Sequence, residues 1–188
     1  IFSGLVFFLL TNVRSISDTL GVAIVIGLVL HTFSSKLDSE HNMMRMIEFI
    51  EENTDLKYKG DPLPIVEIAT QEEMCKVLFN IVPDPCDIAG YYNDDTNVIV
   101  LGDSPTRHMV TEKFQEVILV HELVHFLQKT NGVYETIECR RALERDAFKI
   151  QELWVEQNQI HHKQKPDPLF SLLVSSCPTP LINHLQTH

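Results

Sequence analysis

The five residues His121-Glu122-Leu123-Val124-His125 lie inside an apolar run, and the rest of the chain is organised around them. Four residues of α-helix turn through about 400°, so the two histidines would lie about 40° apart on one helix face. Both imidazoles could then reach one ion, and Glu122 would lie close enough to take a proton from a metal-bound water. The spacing HExxH carries this chemistry when it lies on a helix. These residues therefore predict a zinc-binding helix.

The surroundings of the motif predict that this helix is buried. Apolar side chains would lie on almost every side of it, which is typical of a helix that passes through a core. The helix is expected to start at Thr111 or at Ser104 and to end at Asn131-Gly132. A chance match to the motif is expected in well under about one chain in a hundred of this length. A buried glutamate beside two buried histidines would also be costly to desolvate without a metal.

Length and charge exclude several classes of protein. The 188 residues suffice for one domain with a core, and 44% hydrophobic and 22% charged residues are an ordinary globular balance. The net charge of −11 argues against nucleic acid and against an anionic membrane surface as partners. The four cysteines lack the CxxC spacing of a cysteine-based zinc site, and in an exported domain they would form up to two disulfides.

The first 35 residues contain two hydrophobic runs separated by a polar stretch, and they are expected to lie outside the folded catalytic domain. An apolar run at 1–10 and a charge-free run at 20–30 are both shorter than the roughly 20 residues of a spanning helix. The second run has the proportions of the apolar region of a signal peptide. An uncleaved anchor, two helices paired in the bilayer, and a buried helix of the domain are the alternatives. We expect export, or membrane association through residues 1–33, because no side of the run is marked as facing water.

A helix, a strand and a second helix are predicted next along the chain. Residues 40–53 have the periodicity of an amphipathic helix with a methionine and isoleucine stripe, and Ile65–Ala69 predict a strand. Thr70 and Glu73 have the spacing of a capping box, which predicts that a helix begins there and continues to about Ile81.

A hairpin is predicted between that helix and the metal helix. Two β-prone runs, Ile88–Tyr92 and Asn97–Leu101, flank four turn-forming residues. Asp94 and Asp95 lie in this turn, and because no EF-hand spacing follows them they are interpreted as turn residues and not as a calcium loop.

A second long helix is predicted after Gly132, from about Glu135 to Ile160, with Pro166 and Pro168 ending it. The tail from Phe170 onward is expected to wrap the domain with little regular structure. The domain boundaries expected from these patterns are 1–35 for the signal or anchor segment, 36–165 for the catalytic domain and 166–188 for the tail.

The motif needs a third ligand, because a catalytic zinc site takes three protein ligands and a water. The metzincin continuation is absent, since Gln128 and Asn131 stand where its glycine and third histidine would be. Glu144 is the preferred ligand, because the small Ala147 one turn further on would let two helices approach while the carboxylate reaches across. Glu138 is the next choice, and Glu144 as a solvated partner of Arg140 or Arg141 is the competing interpretation. The full set of acids considered on the following helix is Glu135, Glu138, Glu144, Asp146 and Glu152.

The segments His121–Gln128 and Glu144–Gln151, with Cys139 before the second, resemble small single-domain bacterial zincins of the gluzincin type. The resemblance covers about residues 40–160, with specific motifs only in 117–151. It implies an α+β, zincin-like metallopeptidase fold in which the matching glutamate, Glu144, is the third zinc ligand.

The resemblance also implies where a substrate and a supporting residue would lie. An edge strand before the metal helix holds extended peptide in these enzymes, and that strand would be Asn97–Leu101. Larger gluzincins have an aspartate four residues after the ligand glutamate that supports the first histidine. Phe148 stands at that position here, so Asp146 or a backbone carbonyl is expected to orient a histidine instead.

The expected function is a zinc-dependent peptidase, or a related amide hydrolase, acting on a peptide or protein substrate. His121, His125 and Glu144 would hold Zn²⁺, and Glu122 would be the general base. The chain would be bacterial and periplasmic, extracellular or membrane-anchored. The alternatives are a non-catalytic zinc-stabilised binding or immunity-type module, a latent enzyme closed by Cys177 or a tail histidine, and a membrane-associated structural domain with a fortuitous motif. The candidates for an oxyanion donor are Tyr91, Tyr92, Tyr134, His161 and His162.

Overall fold

The structure is a computed structural model that describes residues 39–79, 88–103, 112–160 and 167–178. Within these ranges the protein is α+β, with five α-helices and one three-stranded mixed sheet. The chain divides by its contacts into the units Ile1–Asn42 and Met43–His188. Only 39–42 of the first unit are described, so the predictions for the signal or anchor segment lie outside the described residues.

The sheet contains β1 (Ile65–Ala69), β2 (Gly90–Asn93) and β3 (Val98–Gly102) in the order β1-β3-β2. β1 runs parallel to β3, and β2 runs antiparallel to it. The predicted hairpin is therefore present as β2 and β3, and the strand predicted at 65–69 is present as β1. The sequence resemblance predicted that the second hairpin strand lies at the sheet edge, and this is wrong, because β3 is paired on both sides and β2 is the hairpin's edge strand.

The helices are α1 (39–53), α2 (Gln71–Phe79), α3 (Glu112–Thr130), α4 (Leu143–Gln157) and α5 (Pro168–Ser175). α3 carries the HExxH motif and is buried, as predicted, with Val117, Leu123 and Leu127 fully inaccessible to solvent. Its C-terminus lies at the predicted stop, where Gly132 adopts φ 75°. The residues at which its start was predicted, 104 and 111, lie outside the described ranges.

Local signals also explain α1 and α2. Met43, Met46, Ile47 and Ile50 of α1 are buried in the core, as their helical spacing predicted. The capping box of α2 is present: the Thr70 backbone N–H donates to Glu73 Oε2 at 2.9 Å, and the Glu73 N–H donates to Thr70 Oγ1 at 3.2 Å.

β2 lies directly against α3, and a glycine makes this approach possible. A Cβ atom at position 90 would lie 2.7 Å from Ile118 Cγ2 and 2.9 Å from the Val100 carbonyl oxygen. Any larger side chain would therefore push β2 away from α3. Because Gly90 has no side chain, this edge strand can lie close to the helix that carries the HExxH motif.

The prediction of one long helix over 135–160 is wrong. Two 3₁₀ turns, Val133–Glu135 and Arg140–Ala142, precede α4, which begins only at Leu143. Cys139 between them is extended, with φ −162° and ψ 158°, and it forms a disulfide with Cys177. An extended residue cannot continue a helix, so the helical periodicity over this segment did not produce a continuous helix.

The prediction that the tail lacks regular structure is also wrong, because 168–175 form α5. Pro168 was expected to end a helix, yet it lies in the first turn of α5, where a proline needs no N–H partner. The Asp167 side chain caps this helix by accepting from the backbone N–H groups of Leu169 and Phe170.

None of the helices in the described ranges combines the length and the apolar character that crossing a bilayer requires.

Candidate metal centre

α3 and α4 bring the three predicted ligands together. His121 Nε2 lies 3.1 Å from Glu144 Oε2, and His125 Nε2 lies 3.4 Å from Glu144 Oε1. One ligand atom from each of the three side chains lies within 4.8 Å of the other two, so the group could hold a metal ion. Both histidines are buried, whereas Glu144 is partly exposed. The centre therefore has one side open to solvent.

Helix packing explains why Glu144 faces the histidines. Glu144 lies in the first turn of α4, and Ala147, one turn further on, is fully buried where α4 packs against α3. The competing interpretation of Glu144 is wrong, because Arg140 pairs with Asp94 at 3.5 Å and Arg141 donates to carbonyl groups of α5. The remaining acids considered from the sequence are exposed, namely Glu135, Glu138, Asp146 and Glu152.

A glutamine side chain lies behind each histidine. His121 Nδ1 lies 2.9 Å from Gln151 Oε1, and His125 Nδ1 lies 2.9 Å from Gln128 Oε1. The Gln128 amide orientation is defined by its other end, because Nε2 donates to the Leu143 carbonyl oxygen at 2.9 Å. An amide oxygen can only accept, so each Nδ1 must carry the proton and donate it. Each Nε2 is therefore left facing Glu144.

This arrangement requires a positive charge between the three groups. In the neutral histidines each Nε2 lone pair would point at the Glu144 carboxylate, and that contact is repulsive unless a proton or a metal ion lies between them. Two imidazole nitrogens and one carboxylate oxygen form a donor set that zinc accepts in catalytic sites. The residues present thus fit a divalent metal ion.

The pKa values of His125 and Glu144 in the metal-free protein also indicate that a positive charge between these groups is favourable. Burial lowers the pKa of His125, but its hydrogen bond to Glu144 and the charges of Glu122 and Glu144 raise it to about 9. Burial raises the pKa of Glu144, but hydrogen bonds to His121 and His125 outweigh it and hold that pKa well below the usual range. Without a metal, a proton on His125 supplies the positive charge.

The glutamines were not identified from the sequence as the groups that orient the histidines. The expectation of Asp146 or a backbone carbonyl is wrong, since Asp146 is exposed and side-chain amides occupy both Nδ1 positions. Phe148 instead packs edge-on against His121, with 4.7 Å between ring centroids. A signal was nevertheless present, because Gln128 and Gln151 are polar residues at positions that the helical period places on buried faces.

Glu122 is buried beside the ligands, with 5% of its surface exposed. Burial raises its pKa, and the charges of His121 and His125 and a hydrogen bond with the Tyr92 backbone offset part of that rise. A buried carboxyl group in this position is suited to accept a proton from a water at the metal centre and to return it. Its contact with Tyr92 also places β2, the edge strand, at the metal centre.

The candidate oxyanion donors have different surroundings. Tyr92 has a structural role, because its hydroxyl donates to Asn97 Oδ1 at 3.1 Å and its ring packs against Phe126. The cations of Lys129 and Arg140 both lie against the Tyr134 ring, 5.5 Å and 4.8 Å from its centroid. Burial, the charge of Asp94 and, more weakly, that of Glu122 raise the pKa of Tyr134. Tyr91 is half-buried, and His161 and His162 lie outside the described residues.

Cys177 cannot close the metal centre as a thiolate, because it is bonded to Cys139 with 5.9 Å between Cα atoms. Cys75 is also in a disulfide, and no cysteine of the described residues is free. The histidines of the tail, at 184 and 188, lie outside the described residues.

Comparison with known proteins identifies a family without assigning an activity. No curated protein and no solved structure matches this chain. A family described as a domain of unknown function, DUF6647, matches residues 36–179, a range that contains the HExxH helix, Glu144 and the Cys139–Cys177 disulfide. Because the match covers more than half of the sequence, the chain belongs to the DUF6647 family.

Proposed function

We propose that this protein is a zinc metallopeptidase with a zincin-like fold. The observation that carries the proposal is the meeting of His121, His125 and Glu144 from two helices around a space that demands positive charge. Glu122 lies beside that space on the same helix as the histidines. A metal-holding triad with an adjacent buried carboxyl group is the arrangement that metal-assisted hydrolysis requires.

Zinc is the metal that this donor set favours. Imidazole nitrogens suit zinc better than they suit magnesium or calcium, which prefer oxygen ligands. Three protein ligands leave a fourth position for water, as in catalytic zinc sites, whereas structural sites are closed by four. The disulfide that removes Cys177 as a ligand supports an open centre. It also supports export, because disulfides persist in oxidising compartments.

Different residues of this chain would have different roles in the hydrolysis of a peptide bond. Zinc, when bound, polarises the substrate carbonyl and makes a water acidic enough to lose a proton near pH 7. Glu122, which is buried beside the three ligands, would accept that proton and then return it to the leaving amine. Gln128 and Gln151 hold the histidine rings in place throughout.

β2 is the strand that would position the substrate. It lies at the sheet edge, and the Tyr92 backbone reaches the Glu122 carboxyl group. The outer edge of a strand offers unpaired N–H and C=O groups, to which an extended peptide can bind as an additional strand. We therefore transfer the expected peptide-binding role from 97–101 to β2.

The test compares Glu122→Gln with the wild type after both are loaded with zinc. Wild-type protein should hold one zinc ion per chain and cleave peptides in a generic library. Glu122→Gln should keep the zinc and lose about 10²–10⁴-fold in rate, because the general base is gone. Glu116→Gln, a half-buried glutamate on the same helix outside the centre, is the control and should retain activity.

Each contrary result leads to a different conclusion. Purified protein that binds no stoichiometric zinc would overturn the metal centre. Protein that binds zinc but cleaves no peptide would overturn the peptidase assignment and favour a zinc-stabilised binding module. Equal activity of Glu122→Gln and wild type would exclude the role of Glu122.

A further inference from the structure

α5 presents an apolar face to solvent beside the metal centre. Leu169, Phe170, Leu172 and Leu173 are 65%, 56%, 62% and 60% exposed. The sequence of α5, Pro168–Ser175, contains no charged residue. A contiguous group of exposed apolar side chains is typical of a surface that binds another molecule.

This helix is held in place by bonds near its C-terminal end rather than by burial of its largest side chains. The Cys139–Cys177 disulfide joins the residues that follow α5 to the residues that precede α4. Arg141 donates from Nη2 to the Leu173 carbonyl oxygen at 2.8 Å and from Nε to the Val174 carbonyl oxygen at 3.1 Å. Because these bonds fix the helix without covering Phe170 or Leu173, the apolar face remains available for binding.

The exposed face connects to a metal ligand through one aromatic residue. Phe148 packs against the His121 ring at 4.7 Å between centroids, and Phe170 packs against Phe148 at 6.3 Å. Phe170 therefore lies one side chain away from the ligand His121. A peptide whose reacting carbonyl group lies at the metal would place a neighbouring side chain near this surface.

We propose that α5, centred on Phe170, is the specificity surface of the active site and binds a bulky apolar side chain of the peptide substrate next to the cleaved bond. This inference rests on the proposed peptidase function and adds to it the class of substrate. The absence of charge on α5 favours leucine, phenylalanine or methionine over charged side chains, which would lose hydration without gaining a partner. Apolar contacts of this kind discriminate between side chains by about 10–100-fold in kcat/KM.

The experiment uses zinc-loaded full-length chain and a set of peptides that share one scaffold. A preliminary digestion locates the cleaved bond, and the residues on both sides of it are then varied among leucine, phenylalanine, alanine, serine and aspartate. The rate constant kcat/KM is measured for each peptide with wild type, Phe170→Ser and Phe79→Ser. Phe79 is the matched control, since it is 54% exposed and lies on α2.

Wild type should prefer leucine or phenylalanine over serine by about 10–100-fold at one position beside the cleaved bond. Phe170→Ser should lower that preference about tenfold, because kcat/KM falls more for the leucine and phenylalanine peptides than for the serine peptide, while it holds the same amount of zinc. Phe79→Ser should keep the wild-type preference. This combination separates loss of an apolar contact from general damage to the centre.

Several results would overturn the inference. An unchanged preference in Phe170→Ser, an equal loss of rate for all peptides, or the same change in Phe79→Ser would each exclude a specificity surface at α5. Light scattering that shows a wild-type dimer abolished by Phe170→Ser would assign the face to a second copy of the chain instead. If wild type binds zinc but cleaves no peptide, the proposed function itself fails, and this result is distinct from cleavage without preference.

Discussion

Gln128 and Gln151 determine how the two histidines can bind a metal. Each amide oxygen accepts from an Nδ1–H group, which turns the Nε2 atom of that ring toward Glu144. An amide is a weaker acceptor than a carboxylate and carries no charge. It therefore orients the imidazole while adding less to its basicity than an aspartate would.

Replacement of Gln151 should change metal affinity without changing the ligands. Gln151→Leu has a similar size but cannot accept the His121 N–H, so zinc should bind about 10–100-fold more weakly. Gln151→Glu restores an acceptor with a full charge and should bind zinc at least as tightly as wild type. Competition with a chromophoric chelator at constant pH measures both affinities.

The control for this prediction is Gln157→Leu, which changes an exposed glutamine at the end of the same helix. Its zinc affinity should equal that of wild type. If Gln151→Leu also bound zinc with the wild-type affinity, the hydrogen bond behind His121 would have no role in metal binding.

Zinc binding should release a proton from His125. The pKa of this residue is raised to about 9 in the metal-free protein, so the ring is protonated below that pH and the metal must displace the proton. Apparent affinity should therefore rise with pH by up to about tenfold per unit and level off as pH passes the His125 pKa. Isothermal titration calorimetry in buffers of different protonation enthalpy counts the released protons, and a count of zero at pH 7 would contradict this account.

The segment between α3 and α4 differs from its prediction because a covalent bond to a distant residue overrides local preference. Ile137 and Leu143 have helical spacing with later apolar residues, yet Cys139 between them is extended and bonded to Cys177. Helix propensity is worth tenths of a kcal/mol per residue, whereas a disulfide stabilises by a few kcal/mol. The same bond places α5 beside the metal centre.

Removal of this disulfide should destabilise the domain. The double variant Cys139→Ser with Cys177→Ser lacks the cross-link between two residues that are 38 positions apart. Its unfolded state therefore has more conformational entropy than that of the wild type. The free energy of unfolding of the metal-free protein should fall by about 2–4 kcal/mol. Chemical denaturation measures the change, and reductant added to the double variant reports the contribution of the Cys75 disulfide separately. A double variant as stable as wild type would show that Arg141 and its hydrogen bonds suffice to hold α5.

The sheet and the buried helix define the architecture of the domain together. β3 is the central strand, with Ile99, Val100 and Leu101 buried, and α3 packs against both β3 and β2. This order leaves β2 at the edge, and the missing side chain of Gly90 lets that edge reach Glu122. The expected edge strand was β3, whereas the observed edge strand of the hairpin is β2. Strand order depends on which strands pair with each other, and the alternation of residues within one strand does not reveal its pairing partners.

Much of this architecture follows from short-range patterns in the amino-acid chain. The HExxH helix and its glycine stop, the α1 stripe, β1, the capping box and the hairpin were all predicted, because periodicity, capping and turn chemistry act within a few residues. The preference for Glu144 among five acids also came from helix geometry, and the structure brings that carboxylate to both histidines.

Long-range contacts account for the rest. The β1-β3-β2 order, the break at Cys139, the existence of α5 and the two glutamines behind the histidines all depend on residues that are far apart along the chain. A buried glutamine in the sequence does not reveal which group accepts from or donates to it, since that partner becomes its neighbour only after α3 and α4 have packed. The sequence by itself therefore determined which residues are the candidate metal ligands, because that pattern is local, and helix packing determined their orientation and the apolar surface beside them.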